Sequence, residues 1–240
     1  MALTIPERIA QVAEHFARHD AHGYSQPNRG TGGTERVTLS DGSTVTVTSS
    51  DVDCSEMVRQ CVNAALSGSH ASPIVYLWTG NQDEELRAQG FVRMAYDPAR
   101  VRRGDVLWVS GHTGIALGGG LQADAHGDEY GGITGPNKGD QTAHEVEIRS
   151  LRSWDYIYRH AGDNAIVEEI NRTYTAAGET NVRDAPSMGA RITGTLRPGE
   201  HVSCDQHIIA ERKHWYGYSG FSGKRLFIFV GDVPSWGVIS

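Results

Sequence analysis

Two cysteines in "DVDCSEMVRQCVNAAL", Cys54 and Cys61, are the residues whose type and spacing first suggest chemistry. Seven residues rise about 10 Å on a helix, too far for a disulfide, so free thiols are expected. Cys61 keeps step with Met57, Val58, Val62 and Ala65, which puts it in the core as a small hydrophobe. Cys54 instead follows Asp51 and Asp53 at the helix start. There, unpaired backbone N–H groups and the helix dipole favour an anion and should depress the thiol's pKa. A thiol so placed becomes a nucleophile if a base lies beside it.

Among eleven histidines, His112 stands out, because "SGHTGIAL" sets it at the start of an apolar strand just after a small-residue turn. Beyond the glycine turn at Gly118–Gly120, alternation places Gln122, Asp124 and His126 on one face. A loop of those three glycines puts His126 opposite His112 and Asp124 diagonal to it. Moving the loop back by one residue puts Asp124 directly opposite. Either residue could orient the imidazole. Nucleophile, base and orienter would then attack a carbonyl, with backbone N–H groups at the helix start, that of Cys54 included, holding the oxyanion.

The elements that must position these groups are legible in outline. "MALTIPERIAQVAEHF" is an amphipathic helix with Ile5, Ile9, Val12 and Phe16 on one face, and "DEELRAQGF" is a further helix. Residues 106–109 and 113–117, the run after the glycine turn, "HEVEIRS" and "WDYIYRH" are strand candidates. After a break near residues 161–164, short strands with turn signals every eight to twelve residues argue for a small all-β barrel. The expected division is a first domain over 1–162, a linker over 163–170 and a second domain over 171–240.

"DCS" opening a helix, then "RRGDVLW" and "GHTGIALGGGLQADA", resembles the NlpC-type family of cell-wall cysteine peptidases, whose papain-like core is shared with CHAP domains. With "HGYSQPNR", "LWTGN", "GDQT" and "SWDYIYRH" in order, the resemblance is to the catalytic domain of phage endolysins and spans almost all of residues 20–160. It implies an α+β fold, helices packed on an antiparallel sheet, followed by an SH3-like barrel. It also implies a peptidoglycan hydrolase with Cys54 as nucleophile, His112 as base and, by the family's spacing, Asp124 as third member. Tyr24 would face the cleft, with His126 and Trp78 as further substrate contacts. The bond expected to be cut is the stem-peptide amide between D-glutamate and the diamino acid. Cleavage as an N-acetylmuramoyl-L-alanine amidase, acyl transfer to an amine, or a wall-binding role with an inactive site are the alternatives.

Three features depart from the family pattern. Glu56 stands where Gly or Ser is common and would oppose a thiolate nearby. The third member is an acid rather than the common His. "GTGGTERVTLSDGSTVTVTSS" fills the place of a short loop, and reads as an inserted surface hairpin, "RVTL" and "TVTVT" around "SDGS".

"TNVRDAPSMGARITGTLRPGEHV" with "WYGYS" resembles the bacterial SH3-like modules that bind cell walls. Tyr174, Trp215, Tyr216 and Tyr218, with Phe227, are candidates for a shallow ligand groove, while Cys204 is expected to be packing.

Composition bounds the partners. The 240 residues are 38% hydrophobic and 21% charged with net charge -7, an ordinary globular balance. The excess acid lies in the first part: 14 basic against 20 acidic residues to Gly162, and 8 against 9 beyond. No basic run interleaved with aromatics points to nucleic acid, and no apolar run to a membrane. No metal, nucleotide or flavin motif is present, and the thiol mechanism requires no cofactor. The expectation is a monomer, synthesised in the host cytoplasm without a signal peptide and acting on peptidoglycan.

Overall fold

The structure, a computed structural model, describes residues 3–68, 72–160, 166–210 and 213–232. The chain divides into two units, Met1–His160 and Ala161–Ser240. Among the described residues, mixed helix and sheet make up the first, and antiparallel sheet alone the second.

In the first unit, α1 (Ile5–Arg18) is capped by Thr4, whose hydroxyl accepts from the Glu7 amide at 3.3 Å. Its apolar stripe, Ile9, Val12 and Phe16, is fully buried. The hairpin β1 (Thr34–Thr38) and β2 (Thr44–Thr48) is the expected insertion, but it is not a plain surface feature. Val37, Val45 and Val47 join the main core, and Gln60 of α2 (Cys54–Ala65) accepts from the Thr48 amide at 3.1 Å. Alternation explains this: Val45 and Val47 of β2, with Val37 of β1 and Leu39 just beyond it, fall on one face of the hairpin, which is apolar and must be covered.

Helix α3 (Gln82–Ala88) is shorter than expected. Gly90, at φ 87°, turns the chain out of it, and Phe91 opens β3 (Phe91–Ala95), a strand not anticipated from the sequence. Strands β4 (Val106–Val109), β5 (His112–Gly118), β6 (Leu121–Ala125), β7 (Val146–Ser150) and β8 (Tyr156–His160) complete an antiparallel sheet ordered β3-β8-β4-β5-β6-β7. Helices α1 and α2 pack on its β5–β6 region and on each other.

"GDVLW" supplies a structural pin for this sheet. Asp105, ahead of β4, takes Arg159 of β8 in two bonds, Nε to Oδ1 at 2.7 Å and Nη2 to Oδ2 at 2.6 Å. Both residues are buried. Removing the guanidinium leaves a carboxylate in the interior without its cation. Arg159→Met is therefore expected to cost about 3–5 kcal/mol, measured by denaturant unfolding, with the Asp105→Asn/Arg159→Met pair recovering part of the loss.

The second unit is a six-stranded antiparallel sheet ordered β11-β10-β14-β13-β12-β9. Its strands are β9 (Ile166–Thr175), β10 (Thr180–Arg183), β11 (Ile192–Leu196), β12 (His201–Ala210), β13 (Lys213–Ser219) and β14 (Arg225–Asp232). Of the expected linker, residues 163–165 lie outside the described residues, and 166–170 are strand instead, the first half of β9 paired with β12. The signal lost there was the strand itself: "IVEEINRTYT" has its charges where a solvent-facing edge would carry them.

Candidate active site

Helix α2 begins at Cys54 because Asp53 caps it. Asp53 Oδ1 accepts from the Glu56 amide at 2.7 Å and from the Ser55 hydroxyl at 2.9 Å, and Oδ2 is ion-paired to Arg29. Arg29 in turn donates to the Tyr76 hydroxyl at 2.8 Å. Asp51, two residues earlier, ties distant loops to this corner. Its Oδ1 accepts from the Gly23 amide at 3.0 Å and the Gly139 amide at 2.9 Å. Cys61 is fully buried in the core, as its helical position predicts, and all three cysteines are free.

Cys54 is 8% exposed, and its sulfur faces the backbone amide of Thr113 on β5. Burial, then the charge of Asp53, pushes the thiol up to about 12, while the Thr113 and Ser55 amides pull the other way. The expected depression by the helix start is thus overturned. The cap carboxylate occupies the positive end of the helix, and the sulfur is withdrawn from water, which penalises the thiolate more than two amides favour it. Glu56 is not the opposing charge: Arg59 holds its carboxylate in two bonds, at 2.7 and 2.6 Å, and Gln60 adds a third at 2.7 Å.

Hairpin β5–β6 brings His112 and Asp124 together. The register pairs Ile115 with Ala123 and Ala116 with Gln122 around a turn at Gly118, Gly119 and Gly120, all with positive φ. Continuing it sets His126 opposite His112 and Asp124 diagonal to it, opposite Gly114. The hydrogen bond nevertheless comes from the diagonal: His112 Nε2 to Asp124 Oδ2, 2.8 Å. His126 turns toward Glu147, 3.8 Å away. Gly114 makes the diagonal reach feasible, since a Cβ there would meet the Ala123 carbonyl oxygen at 3.0 Å and Asp124 Cβ at 3.1 Å.

Asp124 is fully buried and collects two further donors on the same oxygen, Arg149 Nη2 at 2.7 Å and Gln122 Nε2 at 3.1 Å. Burial works against its charge, but the bonds from His112 and Arg149 outweigh it and hold the carboxyl below the usual range. Trp154 stacks on the His112 ring, centroids 5.5 Å apart and planes 10° from parallel, and its indole N–H donates to Gln122 Oε1 at 3.1 Å. With Nε2 facing Asp124, Nδ1 is the His112 ring nitrogen that this bond does not engage.

Tyr24 is buried and joined to Val52, just before Cys54, by an isolated parallel bridge. Burial, reinforced by the nearby Cys54 and Asp53, raises its hydroxyl to about 12, so it is a neutral donor. Trp78 lies in the loop between α2 and α3, 52% exposed, with its ring over Gly80. Its neighbour Tyr76 is the aromatic residue bonded to the Arg29–Asp53 pair. Arg29, Arg149, Trp154 and Tyr76 were missed from sequence, and Gln122 was placed beside Asp124 without a role. Of these, Arg149 and Trp154 carried a usable signal, Arg149 lying in the strand candidate "HEVEIRS" and Trp154 in "SWDYIYRH".

In the second unit the expected ligand-facing placement of Trp215, Tyr216 and Tyr218 is corrected. Trp215 is fully buried and donates to the Ala210 carbonyl oxygen at 3.3 Å, and Tyr216 and Tyr218 are core residues with Val182, Cys204 and Ile228. Adjacent residues of a strand face opposite ways, so burial of both Trp215 and Tyr216 means that β13 is covered on both faces. Tyr174 is half-buried, with its hydroxyl 3.2 Å from Thr180 Oγ1. Met188, Ile192 and Phe221 are the large apolar side chains exposed among the described residues of this unit.

No helix among the described residues is long and apolar enough to cross a membrane. No curated protein matches the chain. Among solved structures, Ly7917 with the hydrolyzing product of MDP is 16% identical over 96% of this chain and 94% of that one, TM-score 0.32. The lysostaphin SH3b P4-G5 complex is 22% identical over 28% of this chain and 72% of that one, TM-score 0.27. The cell wall binding domain of the Staphylococcal phage 2638A endolysin is 20% identical over 30% and 87%, TM-score 0.28. The bacterial SH3 domain model matches residues 168–230. The endolysin-like domain model matches residues 2–123, half the chain, from before α1 through Cys54 and His112 to the residue before Asp124, and the chain belongs to that family.

Proposed function

We propose that the protein is a peptidoglycan hydrolase that cuts an amide of the stem peptide by a thiol mechanism, held on the wall by its SH3 domain. One observation carries this reading: the Asp124–His112 hydrogen bond on the strand whose next residue, Thr113, directs its amide at Cys54. Because the resting thiol is neutral, Cys54 gives its proton to His112 Nδ1 as the sulfur attacks the carbonyl carbon. Asp124 and Arg149 keep the ring in the tautomer that accepts it. Amides at the start of α2, with the neutral Tyr24 hydroxyl, are the donors for the oxyanion. The imidazolium then protonates the leaving amine, and water resolves the acyl-enzyme. The Asp53–Arg29 pair offsets a carboxylate that would otherwise oppose negative charge at the reacting centre.

The bond is assigned to the D-glutamyl–diamino acid linkage, on the resemblance described above. Mass spectrometry of fragments from purified sacculi is expected to find a new amine on the diamino acid. A new amine on L-alanine would make the enzyme an amidase with the same machinery. Wall binding without any product would sink the hydrolase reading.

A further inference from the structure

We propose that His15, His22 and Glu35 form a zinc site that pins the β1–β2 hairpin to α1 and to the segment leading into Tyr24. It shares no residue with the Cys54, His112 and Asp124 arrangement. The three side chains come from separate elements: the last turns of α1, the turn after it, and β1. Their ligand atoms lie within 4.8 Å of one another. His15 Nε2 is 2.6 Å and His22 Nε2 2.9 Å from the same oxygen, Oε1 of Glu35. Two ligand atoms on a tetrahedral zinc sit about 3.3 Å apart, so a cation enters with small side-chain shifts.

His22 supplies the reason to expect a cation. It is 1% exposed, and its other nitrogen, Nδ1, faces the Ser50 carbonyl oxygen at 3.1 Å. A neutral imidazole has one N–H. Donated to Ser50, it leaves Nε2 without a hydrogen toward the carboxylate oxygen, a gap that a second ring proton or a divalent cation fills. A divalent cation between them satisfies both, and a ring nitrogen bonded to a backbone carbonyl is the usual support for a metal-bound histidine. His15 brings a second nitrogen to the same point. His19 flanks it, ring centroid 4.2 Å from that of His15, with Nδ1 on the His15 carbonyl oxygen. Two imidazoles and a carboxylate without sulfur suit zinc, with water as the fourth ligand.

The consequence is mechanical. Glu35 stands on the inserted hairpin, and His22 lies two residues before Tyr24, so the metal joins the insertion to the wall of the thiol site.

The test uses the full chain carrying Cys54→Ala, which removes the thiol that could itself bind zinc, after treatment with a chelator. Calorimetric titration with Zn2+ is expected to give one equivalent per chain with a raised melting temperature, and Co2+ is expected to show the visible bands of a tetrahedral nitrogen–oxygen site. Adding Glu35→Gln should weaken Zn2+ binding by at least about tenfold, whereas adding His207→Gln, in the second unit, should leave it unchanged. Absence of stoichiometric binding, or affinity that survives Glu35→Gln, would overturn the proposal. If Glu35→Gln does not fold, the Co2+ spectrum decides: no tetrahedral bands on the Cys54→Ala chain overturns it equally.

Discussion

Replacing Cys54 with alanine is expected to lower the release of wall fragments by at least about a thousandfold, whereas Cys61→Ala keeps the activity and loses stability. The two thiols differ in what surrounds them rather than in sequence context. Cys61 is sealed among core residues of α2, so its loss leaves a small void and costs about 1–3 kcal/mol in a thermal or denaturant melt. Cys54 stands at the first turn, facing the Thr113 amide, one strand position from His112. Without its sulfur there is no nucleophile for His112 to activate, and only binding and the oxyanion donors remain. The high ionisation point of the buried thiol adds a second readout: at neutral pH the resting enzyme should react with iodoacetamide more slowly than an unburied cysteine does. Fast alkylation of Cys54 at pH 7 would mean that the thiolate is already present before substrate arrives. Undiminished fragment release by Cys54→Ala would remove the thiol mechanism altogether.

Much of this site could be read from periodicity. The seven-residue spacing on one helix separated a core thiol from a terminal one. The glycine turn fixed the β5–β6 register closely enough to bring His112, Asp124 and His126 together, though not to choose between the last two. That choice depends on Arg149, twenty-five residues after Asp124, which reaches it only because β7 pairs with β6. It depends also on Gly114, whose missing side chain lets the diagonal contact close. Neither is visible in a strand taken alone. The thiol's ionisation was misjudged for the same reason: a helix start favours an anion, but burial is a property of everything packed around it. In the SH3 domain, Trp215, Tyr216 and Tyr218, candidates for a ligand groove, are core, because β13 is covered on both faces and its aromatics show no alternation in burial. The inserted hairpin carried the opposite lesson: read as a surface insertion, it has alternating valines in β2 whose spacing marks the face that the core buries.

Asp124→Asn is expected to cut activity by about a hundredfold to ten-thousandfold while His126→Gln changes it little, which tests the orienter directly. Asp124 Oδ2 receives His112, Arg149 and Gln122 together, so in the proposed mechanism the carboxylate both fixes the imidazole tautomer and offsets the imidazolium formed during attack. An asparagine can present only one oxygen acceptor, without charge, and its amide facing His112 would drive the ring to the tautomer whose Nδ1 carries the proton and cannot accept another. His126 lies by register opposite His112, but its ring is drawn to Glu147, so its removal leaves the bond to Asp124 intact. Stability on acidification separates orientation from general damage. The folded carboxyl of Asp124 ionises more readily than in an unfolded chain, so its contribution is present above the unfolded carboxylate range and is lost as pH falls through the lower folded value. Asp124→Asn should therefore lose less stability than the parent between neutral and acidic pH, even as its activity falls. Equal acid sensitivity in the two proteins would place the ionisation elsewhere, and a large loss in His126→Gln with Asp124→Asn active would exchange their roles.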